Sequence, residues 1–251
     1  MNRIARNNRI ARNKAELRGV NERFYNQLWA DTRLVTAERF NTWPLVEELS
    51  KTCRRALEVA PGLRPRLPIE NTCFVDMSWP AVMRLRAQGA NAVQGLISAL
   101  PFADGQFDLV CAFDIVEHVE DGDGALAELS RVAAPGAAFL LAVPLHESRW
   151  TPFDDLVGHH RRYEPAQLGE QLADHGFAIE RSAAYGMQPK SSWLLDVGMW
   201  FLEHRRQRAL WWYNHVFMPM STRFQKPLAL VPGLGDTAGV DEVLLVCRKR
   251  E

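Results

Sequence analysis

The chain has 251 residues, of which 47% are hydrophobic and 24% charged, with 30 basic side chains balancing 30 acidic ones. This composition is typical of a globular protein of one large domain, or one domain with an appendage, and its balanced charge argues against bulk nucleic-acid binding. The sequence has neither an apolar run of membrane-spanning length nor the apolar core of a signal peptide, so we expect a cytoplasmic protein. Its four cysteines lack CxxC spacing, which predicts free thiols.

The hexapeptide NRIARN occurs twice in succession near the N-terminus, at residues 2–7 and 8–13. It carries too little apolar surface to pack alone, so we expect residues 1–15 to form a flexible basic arm, with a weak contact to an anion or a membrane as the alternative. Residues 16–251 are then the main domain. Apolar residues at helical spacing predict a helix over Leu17–Trp29 and a short one over Pro44–Leu49.

Strand-like and helical segments alternate through the middle of the chain. The predicted strands are Arg55–Val59, Thr72–Asp76, Ala92–Gly95, Phe107–Phe113, Ala138–Val143, Phe177–Ser182 and Val240–Val246, and the predicted helices between them are Trp79–Ala87, Gly124–Val132 and Pro165–Asp174. Such alternation predicts an α/β fold with a mostly parallel sheet covered by helices on both faces.

Two acids stand at the ends of the first two predicted strands. Glu58 lies near the end of the first strand, and Asp76 ends the second. An acid at this second position commonly binds the ribose hydroxyls of an adenosine, and a cap for the next helix is the alternative role for Asp76. The loop between the strands contains Gly62 but also several prolines, which exclude the helix N-terminus that a dinucleotide pyrophosphate needs. S-adenosylmethionine has no phosphate, so the loop argues against NAD and permits this cofactor.

Six segments within residues 55–180 resemble, in order, the motifs of class I S-adenosylmethionine-dependent methyltransferases of the methyltransferase-11 or ubiquinone-biosynthesis-like family. They are LEVAPG, FVDMS, GLISALPFADGQFDLV, DIVEHVED, LSRVAAPGAAFLLAVP (a helix, a Pro-Gly turn and the fifth strand) and GHHRRYEPAQLGEQLADHGFAIE. The resemblance implies a Rossmann-like sheet whose last strand is antiparallel. It also implies methyl transfer from S-adenosylmethionine to an organic small molecule, with S-adenosylhomocysteine as the product.

The resemblance also assigns a cofactor site. Glu58 takes the place of the acid before the glycine loop, Asp76 that of the ribose ligand, and Leu96 and Ile97 stand where the family often has Asp-Ala for the adenine amino group. The residues implied to contact the cofactor are Glu58, Ala60, Pro61, Gly62, Asp76, Met77, Leu96, Ile97, Asp114 and Glu117.

Histidines supply the candidates for catalysis. A base is needed only if the methyl acceptor carries a proton that must leave. His118 is the first candidate, with His159 and His160 in a substrate-side loop and His146 after the fifth strand as others. The alternatives are a helix-start role for His118 and a solvated turn for the His159–His160 pair. We expect no metal site, because few acids flank that pair.

An aromatic, basic interval, residues 187–238, separates the last two predicted strands. We expect either a helical layer that buries its aromatics or a lid over a large apolar acceptor, with a peripheral membrane contact as a further alternative. Its place in the chain predicts a position at the sheet edge away from Glu58 and Asp76. Two other functions stay open: an inactive cofactor-binding relative acting as an interaction or regulatory module, and a nucleotide-dependent oxidoreductase.

Overall fold

A computed structural model describes residues 25–29, 32–186, 197–198, 200–202 and 204–251, so the NRIARN repeat and the proposed basic arm lie outside the described residues. In the described part of the chain, eight strands form one sheet in the order β3-β2-β1-β4-β5-β8-β6-β7. The strands are β1 Ala56–Val59, β2 Thr72–Asp76, β3 Asn91–Gln94, β4 Phe107–Phe113, β5 Ala133–Pro144, β6 Phe177–Tyr185, β7 Val231–Pro232 and β8 Glu242–Lys249.

The strand directions confirm the expected α/β architecture. Strands β3, β2, β1, β4 and β5 pair in parallel, and β8 runs antiparallel between β5 and β6. Because β8 runs in the opposite direction, its first residue, Glu242, pairs with Pro144 and Tyr185 at the edge where the parallel strands end. Ligands of open α/β sheets bind at this edge.

Helices flank the sheet, and two of them have side-chain caps at their N-termini. They are α1 Trp43–Ser50, α2 Trp79–Ala87, α3 Gly122–Val132, α4 Pro152–Val157, α5 Pro165–Asp174, α6 Arg206–Trp212 and α7 Met218–Arg223, with a π-helical turn over Tyr213–Phe217 joining the last two. Asp121 caps α3 by accepting from the backbone N–H of Gly124, Thr151 and Asp154 form a capping box at α4, and Gly158 ends α4 in a left-handed conformation.

The fifth and sixth predicted strands are longer in the structure than the sequence indicated. The expected Pro-Gly turn before the fifth strand lies inside β5, which begins at Ala133 because Ala133 still pairs with Phe107 of β4 ahead of a register shift. Gly136 accommodates this irregularity with a φ of +74°. Strand β6 continues to Tyr185, and the two-residue strand β7 pairs with it at the sheet edge.

Apolar side chains pack against both faces of the sheet, and a further cluster joins parts of the chain that are distant in sequence. In this cluster Trp29 and Leu210 pack together with Leu63 and Phe74 from the region of β1 and β2. The aromatic interval therefore reaches the loop after β1, and the expectation that it lies away from that loop is wrong. Within the described ranges, no helix has the length and hydrophobicity to cross a membrane.

Candidate cofactor site

Glu58 anchors the proline-rich loop that follows β1. Its buried carboxylate accepts hydrogen bonds from the backbone N–H of Arg66 at 2.8 Å and of Leu67 at 2.9 Å. Burial raises the pKa of Glu58 to about 7, although these hydrogen bonds oppose the shift. The loop therefore folds back onto the strand end, and it does so without forming the helix of a dinucleotide site.

Asp76 links the same loop to the end of β2. One carboxylate oxygen accepts from the backbone N–H of Gly62 at 2.9 Å, and the other accepts from the backbone N–H of Ser78 at 2.8 Å. The bond to Ser78 is an Asx-type turn that precedes α2. Ser78, not Asp76, is the N-cap of that helix, so the capping role that the sequence offered as an alternative is wrong. Each oxygen of Asp76 can still accept a further bond, so the carboxylate is able to hold a ligand. Burial raises the pKa of Asp76 to about 6.

The positive charge of Arg66 acts on Glu58, and three aromatic side chains contact the Arg66 guanidinium. Its guanidinium lies 3.6 Å from the ring centroid of Phe40 and 5.9 Å from that of Phe113, and its Nε donates to the Tyr185 hydroxyl at 3.1 Å. Stacking and hydrogen bonding together hold the guanidinium in place.

The N-terminal helical segment, residues 25–29, lies across the site. The Trp29 indole rests on Gly62, where an added β-carbon would lie 2.1 Å from the ring. The Tyr25 hydroxyl lies 3.1 Å from Nε2 of His118, and the Ser78 hydroxyl donates to the Asn26 side chain at 2.7 Å. The sequence predicted a helix here but gave it no place in the site. The aromatic residues of this segment, Tyr25 and Trp29, were the feature of the sequence that could have indicated its contact with the site.

The segment from α6 to α7 contacts the same loop and also the N-terminal helical segment. Arg64 donates to the Asn214 side-chain oxygen at 2.8 Å and to the Tyr213 hydroxyl at 3.3 Å, and the Asn214 amide donates to the carbonyl of Leu28 at 3.0 Å. Trp211 and Trp212 nevertheless remain 49% and 46% exposed. Burial of the aromatics in the core, one of the expectations for this interval, is therefore wrong for these two side chains.

Three acidic side chains cluster where β4 ends and β8 begins. Asp114 follows β4 with a φ of +51° and lies beside Glu242 and Glu117. Glu117 is only 1% exposed, and no described residue forms a hydrogen bond with either of its carboxylate oxygens. Burial, together with the neighbouring Asp114, raises the pKa of Glu117 well above its usual range. The sequence missed Glu242, since only the antiparallel insertion of β8 brings it here.

The structure brings two of the candidate histidines together. The rings of His118 and His159 meet edge to face with centroids 4.5 Å apart. Nδ1 of His159 lies 2.8 Å from Oδ1 of Asp154, a fully buried carboxylate that also pairs with Arg162 at 2.9 Å. Burial acts to raise the pKa of Asp154, but the hydrogen bonds from His159 and Arg162 outweigh it and hold that pKa well below its usual range.

The other two histidines have different surroundings. The backbone N–H of His160 donates to the backbone carbonyl of Glu117 at 2.7 Å, whereas the His146 ring lies 3.0 Å from the carbonyl of Thr237.

Desolvation, with the neighbouring His159 and His160, lowers the pKa of His118 well below its ordinary value. His118 is therefore a neutral imidazole at neutral pH.

Of the residues that the resemblance implied to contact adenine, some lie at the surface and one lies in the core. Leu96 is 36% exposed, whereas Ile97 is buried in the main core cluster with Val75 and Leu100. The carbonyl of Met77 accepts from the Gln94 side chain at 3.0 Å, which ties the end of β2 to β3. Ile97 is therefore a core residue in this structure. Leu96 and Met77 are more exposed to solvent.

Comparisons with known proteins agree on one family. Residues 44–141 match the family model described as a methyltransferase domain. The chain is similar to a "Probable S-adenosylmethionine-dependent methyltransferase" of Mycolicibacterium smegmatis, with 31% identity over 109 residues, 42% of this chain and 42% of that protein. It is also 34% identical over 127 residues to a malonyl-[acyl-carrier protein] O-methyltransferase of Halorhodospira halophila, covering 46% of this chain and 43% of the relative. The chain thus spans less than half the length of these relatives.

Solved structures show the same fold. A Thermotoga maritima protein described as a "SAM-dependent methyltransferase, possible histamine N-methyltransferase" superposes with a TM-score of 0.54 at 14% identity, over 85% of this chain and 91% of that one. At this identity the likeness establishes the fold alone.

Proposed function

The chain belongs to the class I S-adenosylmethionine-dependent methyltransferases, and from this premise we propose that it transfers a methyl group from S-adenosylmethionine to an organic small molecule. S-adenosylmethionine is the cofactor of this class. The relatives that match are named as methyltransferases, which gives no support to an inactive interaction module. An oxidoreductase lacks support from the loop after β1, because Glu58 holds that loop in a form without a helix N-terminus for a pyrophosphate.

The observation that carries the proposal is the excess of carboxyl groups at the strand ends. Glu58, Asp76, Asp114, Glu117 and Glu242 all lie at this edge of the sheet. S-adenosylmethionine offers a cationic sulfonium and an ammonium to such a site, whereas the phosphates of NAD would add negative charge. The ribose hydroxyls would donate to Asp76, whose oxygens retain acceptor capacity, and the methionine end would lie near Ala60, Pro61 and Gly62.

The chain's own residues supply orientation and, if required, a proton acceptor. The acceptor atom attacks the methyl carbon in line, the carbon–sulfur bond breaks, and the sulfur keeps the electron pair to give S-adenosylhomocysteine. For an acceptor that carries a proton, we assign His118 as the base, because its imidazole is neutral at neutral pH and the Tyr25 hydroxyl at 3.1 Å fixes the ring. His159 is the second candidate for this role.

We further propose that the methyl acceptor is a large, apolar molecule. Trp211, Trp212 and Phe217 present 46–58% of their surface within the segment from α6 to α7, which contacts the loop after β1. Exposed aromatic groups of this size near a candidate site are typical of a surface that holds an apolar ligand. Residues 187–238, of which 187–196, 199 and 203 lie outside the described residues, would then act as a lid. The proposed compartment is the cytoplasm, which the four free cysteines support.

Ligand binding tests the proposed function directly. We expect S-adenosylmethionine and S-adenosylhomocysteine to raise the melting temperature of the purified chain, and calorimetry to give one S-adenosylhomocysteine per chain. NAD and NADP serve as ligand controls and should leave the melting temperature unchanged. A shift with NAD or NADP alone would favour the oxidoreductase. Binding of S-adenosylhomocysteine without turnover of any acceptor in a broad panel of apolar phenols, carboxylates and amines would favour the inactive module.

A further inference from the structure

Three potential metal ligands converge beyond the end of β4. Glu117, His118 and His159 each offer a ligand-type atom, and these atoms lie within 4.8 Å of one another. Oε1 of Glu117 lies 3.9 Å from Nε2 of His159, too far for a hydrogen bond. Two ligands bound to one Zn²⁺ at about 2.0–2.2 Å are themselves about 3–3.5 Å apart in a tetrahedral arrangement. We propose that these three residues bind a divalent transition-metal ion.

Glu117 gives the strongest reason for a ligand at this point. It is almost fully buried, and none of the described residues forms a hydrogen bond with either carboxylate oxygen. A buried carboxyl group without hydrogen bonds is costly, so such groups are nearly always paired or bound to a metal. The side chain of Arg162, a nearby cation, is committed to Asp154 at 2.9 Å and to Asp241 at 2.9 Å. A bound cation would satisfy both oxygens of Glu117.

His159 is already held in the orientation of a ligand. Asp154 is a carboxylate paired with Arg162, so the 2.8 Å contact at Nδ1 of His159 requires the proton to be on Nδ1. The lone pair is then on Nε2, the nitrogen nearer to Glu117. A carboxylate that accepts from the far nitrogen of a histidine is the usual outer contact of a metal-bound imidazole.

His118 adds the third ligand and is fixed from both sides. Its ring packs edge to face on His159, and the Tyr25 hydroxyl lies 3.1 Å from its Nε2. Two imidazoles and one carboxylate form a donor set suited to Zn²⁺ and neighbouring transition metals, whereas Mg²⁺ and Ca²⁺ prefer oxygen ligands. Three protein ligands leave coordination positions for water or for another oxygen.

A metal site at these residues would contradict the expectation, drawn from the sequence, of no metal site. That expectation considered the His159–His160 pair with its neighbouring acids, but the set found here joins Glu117 and His118 to a histidine from a later loop. Metal binding and proton transfer would use the same lone pair of His118, so its roles as ligand and as base are alternatives.

Conservative variants of the full chain test the site by Zn²⁺ binding alone. His159→Asn keeps a side-chain donor for Asp154 and removes the ligand nitrogen, Glu117→Gln keeps the shape of the side chain, and His160→Asn is the matched control next to the site. After chelator treatment, the affinity for Zn²⁺ is measured by competition with a chromophoric chelator. We expect the wild type and His160→Asn to bind one Zn²⁺ per chain, and each ligand variant to bind at least about tenfold more weakly.

Thermal stability gives a second measurement. Zn²⁺ should raise the melting temperature of the wild type but not that of Glu117→Gln, whose metal-free form should be at least as stable as the wild type because a buried carboxylate is removed. The absence of stoichiometric binding to the wild type would overturn the proposal. Equal affinity of the wild type, Glu117→Gln and His159→Asn would also overturn it, and would place the ion on surface histidines. Binding of S-adenosylhomocysteine is measured separately, so that failure of the metal site and failure of the proposed function can be distinguished.

Discussion

The indole of Trp29 lies against the backbone of Gly62 so closely that a β-carbon at position 62 would be 2.1 Å from the ring. Gly62 also has a φ of +55°, a conformation that side chains disfavour. This one contact brings the N-terminal helical segment onto the loop that connects Glu58 to Asp76. Glycine is therefore required here for two separate reasons, the backbone conformation and the close approach of an aromatic ring.

Gly62→Ala should be markedly destabilising. The left-handed conformation costs about 1–2 kcal/mol, and displacement of the indole adds about 1–3 kcal/mol. Gly89→Ala is the matched control, because Gly89 has a φ of +86° but nothing within 4 Å of an added β-carbon. Urea denaturation should show the larger loss of unfolding free energy for Gly62→Ala. Equal losses for the two variants would mean that Trp29 moves aside without cost.

Asp76→Asn should weaken S-adenosylhomocysteine binding about ten- to hundredfold, equivalent to about 1.5–3 kcal/mol for a charged hydrogen-bond acceptor. The amide keeps one oxygen for the backbone N–H of Gly62 or Ser78. Asp108→Asn is the control, because Asp108 accepts from the backbone N–H of Arg54 at 3.0 Å at the opposite edge of the sheet. Calorimetry should give wild-type affinity for Asp108→Asn. Unchanged affinity in Asp76→Asn would remove Asp76 as the ribose ligand.

Glu58 should make the chain less stable as pH rises. Its pKa is about 7 in the folded chain against an ordinary 4.5, so the folded state binds the proton more tightly than the unfolded state does. The resulting stability is fully present below about pH 4.5 and is lost as pH rises through about 7. Between pH 5 and 8 we expect a loss of about 2 kcal/mol from this group.

Glu58→Gln isolates that contribution. The amide does not titrate, so the unfolding free energy of the variant should depend less on pH than that of the wild type over the same range, whatever its absolute stability. Glu180→Gln, at a partly exposed ion pair with Arg248, is the control and should follow the wild-type profile. Parallel profiles for the wild type and Glu58→Gln would show that Glu58 has an ordinary pKa in the folded chain.

Replacing Trp211 and Trp212 together by alanine should leave the fold intact. Both rings are about half exposed; Trp211 stacks on the His215 ring with centroids 4.7 Å apart and meets Trp212 edge to face with centroids 5.6 Å apart. Each substitution should therefore change the unfolding free energy by about 0.5 kcal/mol or less, whereas Leu210→Ala, at a buried neighbour, should cost about 2–5 kcal/mol. Under the proposed function, turnover of an apolar acceptor falls while S-adenosylhomocysteine affinity is retained. A large loss of stability in the double variant would make the two rings structural.

The same double variant distinguishes between two functions of the surface formed by Trp211 and Trp212, namely binding of an acceptor and contact with a membrane. Sedimentation with vesicles that contain anionic lipid should show no binding of the wild type if the surface serves an acceptor. Wild-type binding that is lost in the double variant would instead identify a membrane contact, with Arg206 and Arg208 as neighbouring cations.

The sequence by itself determined seven of the eight strands, most of the helices and the places of Glu58 and Asp76. Strand β2, strand β4 and helix α2 have the predicted bounds, because alternation, helical spacing and capping residues act between near neighbours in the chain. An acid at the end of a parallel strand must lie at the carboxyl edge of the sheet, so its position also follows from local pattern.

Only the tertiary structure decided what surrounds these acids. Trp29 reaches Gly62 through packing of the N-terminal segment, Glu242 reaches Asp114 because β8 enters the sheet antiparallel, and His159 reaches Glu117 through the loop after β5. These contacts join residues far apart in the chain, and no periodicity specifies them. They arise because apolar faces from separate segments bury one another in a single arrangement, which then brings the polar groups at their edges together.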